Sequence, residues 1–231
     1  MADLILVEGD SGTGKSTSWR NVPANESFII RPNTKSFPFR GAKVNYTEFV
    51  PTTGKGNVCT LADFSQIGSW LKAISDNLKH VKYILIEDLT HHMTNTTLGK
   101  AFLAQNSGNA AFARWNKFGA DINDNLFKST LGLRDDLFIT VFHHTQIDDS
   151  GKRVFKTQGK LMENAIDPVS HFTYVFHTSI VASNDKREYM FITNNDGVHQ
   201  AKTPMGCFAD LYIENDMMKV FDTINKYNLG E

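Results

Sequence analysis

Leu4-Ile-Leu-Val-Glu-Gly-Asp-Ser-Gly-Thr-Gly-Lys-Ser-Thr17 decides how this chain is read. Gly9, Gly14, Lys15 and Ser16 fill the spacing G-x-x-x-x-G-K-[ST] of a Walker A phosphate loop. Leu4 to Val7, directly in front, is an apolar run that predicts a strand buried on both faces. In such a loop, glycines turn backbone N–H groups inward onto phosphate oxygens, in conformations that a Cβ resists. Asp10, Ser11, Gly12 and Thr13 fill the variable positions, and Thr17 follows the motif. Lys15 is expected to reach the β- and γ-phosphates as a point charge, and the Ser16 hydroxyl to join a magnesium shell. A helix from Lys15 to about Arg20, stopping before Pro23, would begin at its positive end and favour the anion. Average residue frequencies make the spacing a chance event in roughly one chain of this length in a hundred. The expectation is a site for a nucleoside triphosphate and Mg2+. The chain shows no Asn-Lys-x-Asp guanine reader, which tilts the expectation toward ATP.

Downstream, Tyr83-Ile84-Leu85-Ile86 reads as a second buried strand and ends in Glu87-Asp88. Four apolar residues followed by an acid form the Walker B pattern, in which one carboxylate meets the metal and a neighbour polarises the attacking water. Counting from the apolar run puts Glu87 at the metal position and Asp88 at the base position. The usual order is Asp then Glu, so the pattern is reversed or shifted by one, and both assignments stay open at this point. Leu137 to Phe142 reads as a third strand, closing in His143-His144-Thr145-Gln146. Ligands of open parallel sheets sit beyond the carboxyl ends of the strands, so His144 and Gln146 are candidate sensors of a γ-phosphate, with His143 close behind. His91-His92 also follows a strand, but no Cys or His-x-x-x-His spacing supports a four-histidine metal centre.

Phe28-Ile29-Ile30 predicts a further strand, ended by Arg31-Pro32, and residues 33 to 60 read as an irregular insertion. Asp63 is the predicted cap of a helix with Phe64, Ile67, Leu71, Ile74 and Leu78 on one face. A helical stretch over about 97 to 131 carries Phe112, Trp115, Ile122 and Leu126 as a buried stripe, with Trp115 read as core rather than a base-stacking platform. Residues 146 to 158 read as a hairpin turning at Asp148-Asp149-Ser150-Gly151, with Lys152, Arg153, Lys156 and then Lys160 near its tip. Phe172 to Ala182 predicts a long strand, with Glu188 to Thr193 pairing back across Ser183-Asn184-Asp185-Lys186. Met217, Val220, Phe221 and Ile224 mark a C-terminal helix.

The 231 residues, 41% hydrophobic and 21% charged, suit one large α/β domain spanning 1–231. No apolar stretch is long enough for a membrane span, no signal peptide is expected, and the expected location is cytoplasmic. Cys59 and Cys207 have no metal-type spacing and read as structural. Lys+Arg 24 against Asp+Glu 25, a formal net charge of −1, excludes coating nucleic acid by bulk charge but leaves room for a local basic groove.

Taken together, the N-terminal Walker A loop, Ile86-Glu-Asp-Leu-Thr90, the strand ending in histidines and the hairpin-rich last third resemble the small RecA-like ATPases of bacteriophage recombination modules. Gly159-Lys-Leu161, Phe172-Thr-Tyr-Val-Phe-His-Thr178 and Ala201-Lys-Thr-Pro-Met-Gly206 carry the more particular part of the likeness. The resemblance implies a RecA-like P-loop NTPase fold, with a mainly parallel sheet flanked by helices and antiparallel hairpin strands in the C-terminal third. It further implies ATP hydrolysis, self-assembly into a ring or filament, and action on single-stranded DNA in recombination, annealing or replication, with other phage proteins as partners and the host cytoplasm as location. Lys202 or Arg187 would reach a neighbour's γ-phosphate, while Lys152, Arg153, Lys156 and Lys160 would line a DNA path. The chain departs from the pattern after its second strand, where Arg31-Pro-Asn-Thr34 offers no glutamate and the next acid is Glu48. The catalytic base is therefore Glu48, Asp88 or Glu87, or turnover is slow. A nucleotide-gated scaffold or switch is the second functional class, and a small-molecule kinase the third, disfavoured by scattered arginines.

Overall fold

A computed structural model describes residues 2–62, 64–105, 107–159, 167–183 and 186–231, with only the backbone of residue 183. Asp63, Lys160, Leu161, Asn184 and Asp185 therefore lie outside the described residues. Strands β1 (Asp3–Glu8), β2 (Ser27–Arg31), β3 (Val58–Thr60), β4 (Tyr83–Ile86), β5 (Phe138–His143), β8 (Tyr174–Ser183), β9 (Lys186–Ile192) and β10 (Tyr212–Glu214) form one sheet. A separate two-stranded ribbon pairs β6 (Thr145–Ile147) with β7 (Arg153–Phe155). The order is β10-β9-β8-β1-β5-β4-β2-β3, so one strand, β5, lies between the strand of the glycine loop and the strand of the two acids. Pairings from β8 to β3 are parallel, and β9 and β10 add antiparallel strands at one edge.

Alternate residues of the central strands feed two cores, which is why these runs are apolar throughout. Leu4, Leu6, Ile84, Ile139 and Val141 pack under α2 (Ile67–Asn77), α3 (Leu89–Thr97) and α5 (Gly108–Ile122). Ile5, Val7, Leu85 and Phe142 face the opposite layer, made by Trp19, Phe37, Tyr46 and the helix α6 (Met217–Leu229). Two short helices, α1 (Ala42–Asn45) and α4 (Lys100–Leu103), complete the α-helical set of the described residues apart from 3-10 and π turns. The result is a mixed α/β chain with a mostly parallel sheet flanked by helices and antiparallel hairpins toward its C-terminal end. Among the described residues, no helix is long and apolar enough to cross a membrane.

Several local expectations need correction. Residues 33 to 60 are not wholly irregular: α1 forms, and Val58–Thr60 joins β2 in parallel as the sheet edge. Three- and four-residue elements are too short to show a period. The helix after the glycine loop is a six-residue 3-10 helix, Ser16–Asn21, rather than an α-helix. Hydroxyl side chains that bond the local backbone, as Ser18 Oγ does to Lys15 O (2.6 Å), favour such a tight turn, and so short a helix carries little macrodipole. The predicted stripe of α5 loses Phe112, which is 64% exposed, while Trp115 packs partly buried against Phe102 with ring centroids 4.9 Å apart. Beyond Ile122 that helix continues through a π turn, Asn123–Phe127, and a 3-10 turn, Lys128–Thr130.

Candidate functional site

Gly9 leaves β1 at φ +154°, and an added Cβ would stand 1.8 Å from Thr178 Oγ1 on β8. Only a residue without a side chain lets the loop approach β8 so closely. Thr178 Oγ1 in turn donates to Glu8 O (3.1 Å) and meets Thr13 Oγ1 at 2.5 Å, so β8 braces the loop from one side. Asp10 fastens the other side. Its carboxylate accepts from Thr145 Oγ1 on β6 (3.0 Å) and pairs with Arg153 on β7. Burial pushes the Asp10 carboxyl upward, but the hydrogen bonds from Arg153 and Thr145 outweigh it and hold the group below the usual range.

The Lys15 ammonium folds back over the loop, donating to Gly9 O (2.6 Å) and Asp10 O (2.8 Å). Burial lowers its pKa to about 8, against the opposing pull of Asp88, Asp10 and Glu8. Ser16 Oγ donates to Glu87 Oε1 (3.1 Å), joining two oxygens of the kind a hard divalent cation takes. Burial raises the Glu87 pKa to about 7; the Ser16 hydrogen bond works against that, and the neighbouring Asp88 adds to it. Asp88 has φ +52°, the left-handed backbone that caps α3 while its side chain accepts from His91 N (3.1 Å). This places Asp88 Oδ1 3.8 Å from His144 Nε2.

These groups line one cavity of about 400 Å³, shared by Gly12, Gly14, Lys15, Ser16, Thr17, Glu87, Asp88 and His144 and closed by Asn33, Lys35, Pro38 and Tyr189. Residues 15, 16, 87, 88 and 144 are thus brought together from three strand ends. The two histidines that end β5 divide their roles. His143 is fully buried, stacked on Phe155 with centroids 3.6 Å apart, and bonded to Thr90 Oγ1 (3.1 Å) and Lys156 O (2.8 Å); burial depresses its pKa to about 3. His144 stays half-buried at the cavity, with its pKa lowered first by burial and then by Lys15.

Other expected residues lie elsewhere. Glu48 is half-exposed at the β2–β3 edge, where it accepts from Arg31 Nη2 (2.6 Å) and Thr60 Oγ1 (2.6 Å), outside the cavity lining. Its carboxylate is drawn there because the insertion returns to pair beside β2. Gln146 is a partly buried β6 residue outside the same lining. Lys202 is pinned by paired backbone hydrogen bonds to Val175, and Arg187 is exposed on β9. Lys152 is exposed at the hairpin turn, and Lys156 lines a smaller chamber of about 260 Å³ with Asp88, His91 and His144. Arg153 belongs to the Asp10 contact.

Three residues escaped the sequence reading. Thr178 lay inside a run quoted as strand and for its family likeness, with no role given to its hydroxyl, and Tyr189 carried no motif. Glu8 is wholly buried at the end of β1, its carboxylate oxygens lacking a partner among the described residues, and burial raises its pKa to about 8. An acid ending a buried apolar run immediately before Gly9 was its available signal. Among the described residues, no group of three or more His, Cys, Asp or Glu is placed to hold a metal alone. A magnesium ion held mainly by phosphates and water requires no such cage. Comparison with protein-family models finds no match, and comparison with curated proteins finds none either.

Proposed function

We propose that the chain is a RecA-like P-loop ATPase that binds Mg·ATP in this cavity and acts as a homo-oligomer on single-stranded DNA in phage recombination, annealing or replication. The observation that carries the nucleotide reading is the convergence of Lys15, the Ser16–Glu87 pair and the Asp88–His144 pair on one cavity beneath the glycine loop. The DNA, assembly and phage parts rest on the sequence resemblance. Position divides the acids: Glu87, bonded to Ser16, takes the metal side, and Asp88, beside His144, faces the attacking water. Hydrolysis is then in-line attack on the γ-phosphate, with Lys15 and the cation neutralising developing charge. His144, just beyond β5, then stands at the γ-phosphate end of the cavity. Titration with Mg·ATP tests the reading: wild type binds, and Lys15→Ala weakens binding at least about tenfold. Equal affinities would remove Lys15 and the loop from the account.

The second reading, a nucleotide-gated switch with little turnover, is favoured by Glu48. Its engagement with Arg31 and Thr60 leaves Glu87 and Asp88 as the carboxylates that line the cavity. Asp88→Asn separates the two. The ATPase reading expects a hundredfold or greater loss of turnover with binding retained, on the general scale of about 10²–10⁴ for acid–base groups. The switch reading expects negligible turnover in wild type already.

A further inference from the structure

We infer that Tyr189 and Asn215 form the base subsite of this cavity and that Asn215 selects adenine over guanine, an inference that rests on the nucleotide reading. Asn215 follows β10, just before α6, and is 2% exposed. Both atoms of its carboxamide lack a hydrogen-bond partner among the described residues. Buried amides are normally satisfied, so a group with a free donor and a free acceptor calls for a partner. Its backbone is fully held: the N–H donates to Tyr189 O (3.2 Å), and the carbonyl accepts from Arg20 Nη1 (2.6 Å).

The amide abuts the loop. A Cβ on Gly14 would stand 3.2 Å from Asn215 Oδ1, 3.3 Å from Nδ2 and 3.0 Å from Tyr189 Cδ1. The bare face of Gly14 is thus shared by an unsatisfied amide and an aromatic ring that is 43% exposed and lines the cavity. In the sheet, Tyr189 on β9 lies on the opposite side of β1 from the acids that follow β4. A triphosphate with its γ end at Asp88 and His144 directs its base toward Tyr189. A half-exposed tyrosine takes a base by stacking. The Asn215 amide lies beside Gly14, outside the cavity lining, so reading the base edge requires the Tyr189 side chain to move aside. Adenine presents an amino donor next to a ring-nitrogen acceptor, the complement of a carboxamide, whereas guanine presents a carbonyl where adenine has the amino group.

The test measures affinities of Mg·ATP, Mg·GTP and Mg·tripolyphosphate for the full chain and three variants. Wild type should prefer ATP to GTP at least tenfold, and Asn215→Ala should bring ATP down to the GTP level while leaving tripolyphosphate unchanged. Because the amide makes no side-chain hydrogen bond among the described residues, Asn215→Ala should also unfold at nearly the wild-type temperature. Tyr189→Phe should retain both nucleotides, and Tyr189→Leu should weaken both about tenfold or more. Equal binding of ATP and GTP by wild type, or a loss in Asn215→Ala that extends to tripolyphosphate, would overturn the base subsite alone. Failure of wild type to bind all three would remove the nucleotide reading beneath it.

Discussion

Lys15 commits two of its three ammonium donors to carbonyls of its own loop, Gly9 O and Asp10 O, which leaves one for a phosphate until the side chain swings off the loop. The loop geometry itself depends on Gly9. Gly9→Ala would press a methyl into Thr178 Oγ1 and is expected to cost about 1–3 kcal/mol of stability, measured by urea unfolding. Gly9→Ala with Thr178→Ala should recover part of that loss, the backbone strain remaining. Glu8 makes a separate prediction about pH. Its carboxyl titrates at about 8 in the fold, against an ordinary value of 4.5. Between those values the folded state retains a proton that the unfolded state has released, so stability falls as pH rises through this window. Glu8→Gln, which cannot ionise, should flatten the curve and exceed wild type by about 2 kcal/mol or more at pH 8, read from urea unfolding at pH 5 and pH 8. Parallel curves for the two proteins would show that Glu8 carries no such penalty.

Among the elements, the central strands were legible because each is a short run apolar on both faces, and α2 and α6 because their buried residues recur at helical spacing. The acid and histidine strand ends followed from those runs. What could not be read was set by long-range contact: Thr178 reaching Gly9, Arg153 reaching Asp10, and Glu48 captured by Arg31 are pairings that no local pattern encodes. Phe112 belonged to the right period but lies on a part of α5 that the body of the protein does not cover. The 3-10 helix after the loop gains its hold from packing rather than dipole. Trp19 meets Phe221 of α6 at 5.8 Å, and Phe221 also packs on Tyr83 and Phe138 at 4.7 and 4.9 Å. Phe221→Ala is accordingly expected to destabilise the protein by about 3–5 kcal/mol, as a shifted midpoint in denaturant. Arg153→Ala removes a half-exposed ion pair and should cost no more than about 1 kcal/mol by the same measurement.

For the molecule as a whole, the sheet order sets the direction of the cavity. The acids that follow β4 stand on one side of β1 and the antiparallel extension on the other, so in the proposed reading a nucleotide would run across the sheet from its γ-phosphate to its base. The β6–β7 ribbon meets the glycine loop at Asp10, through Thr145 and Arg153, and its turn carries the exposed Lys152, a route by which a polyanion could bear on the loop despite a net charge of −1. The most direct measurement is therefore ATP hydrolysis by the purified protein with and without single-stranded DNA, with Lys15→Ala as the blank. Turnover should rise with DNA and vanish in Lys15→Ala. ATP that binds but is not hydrolysed, with DNA present or absent, would contradict the ATPase reading.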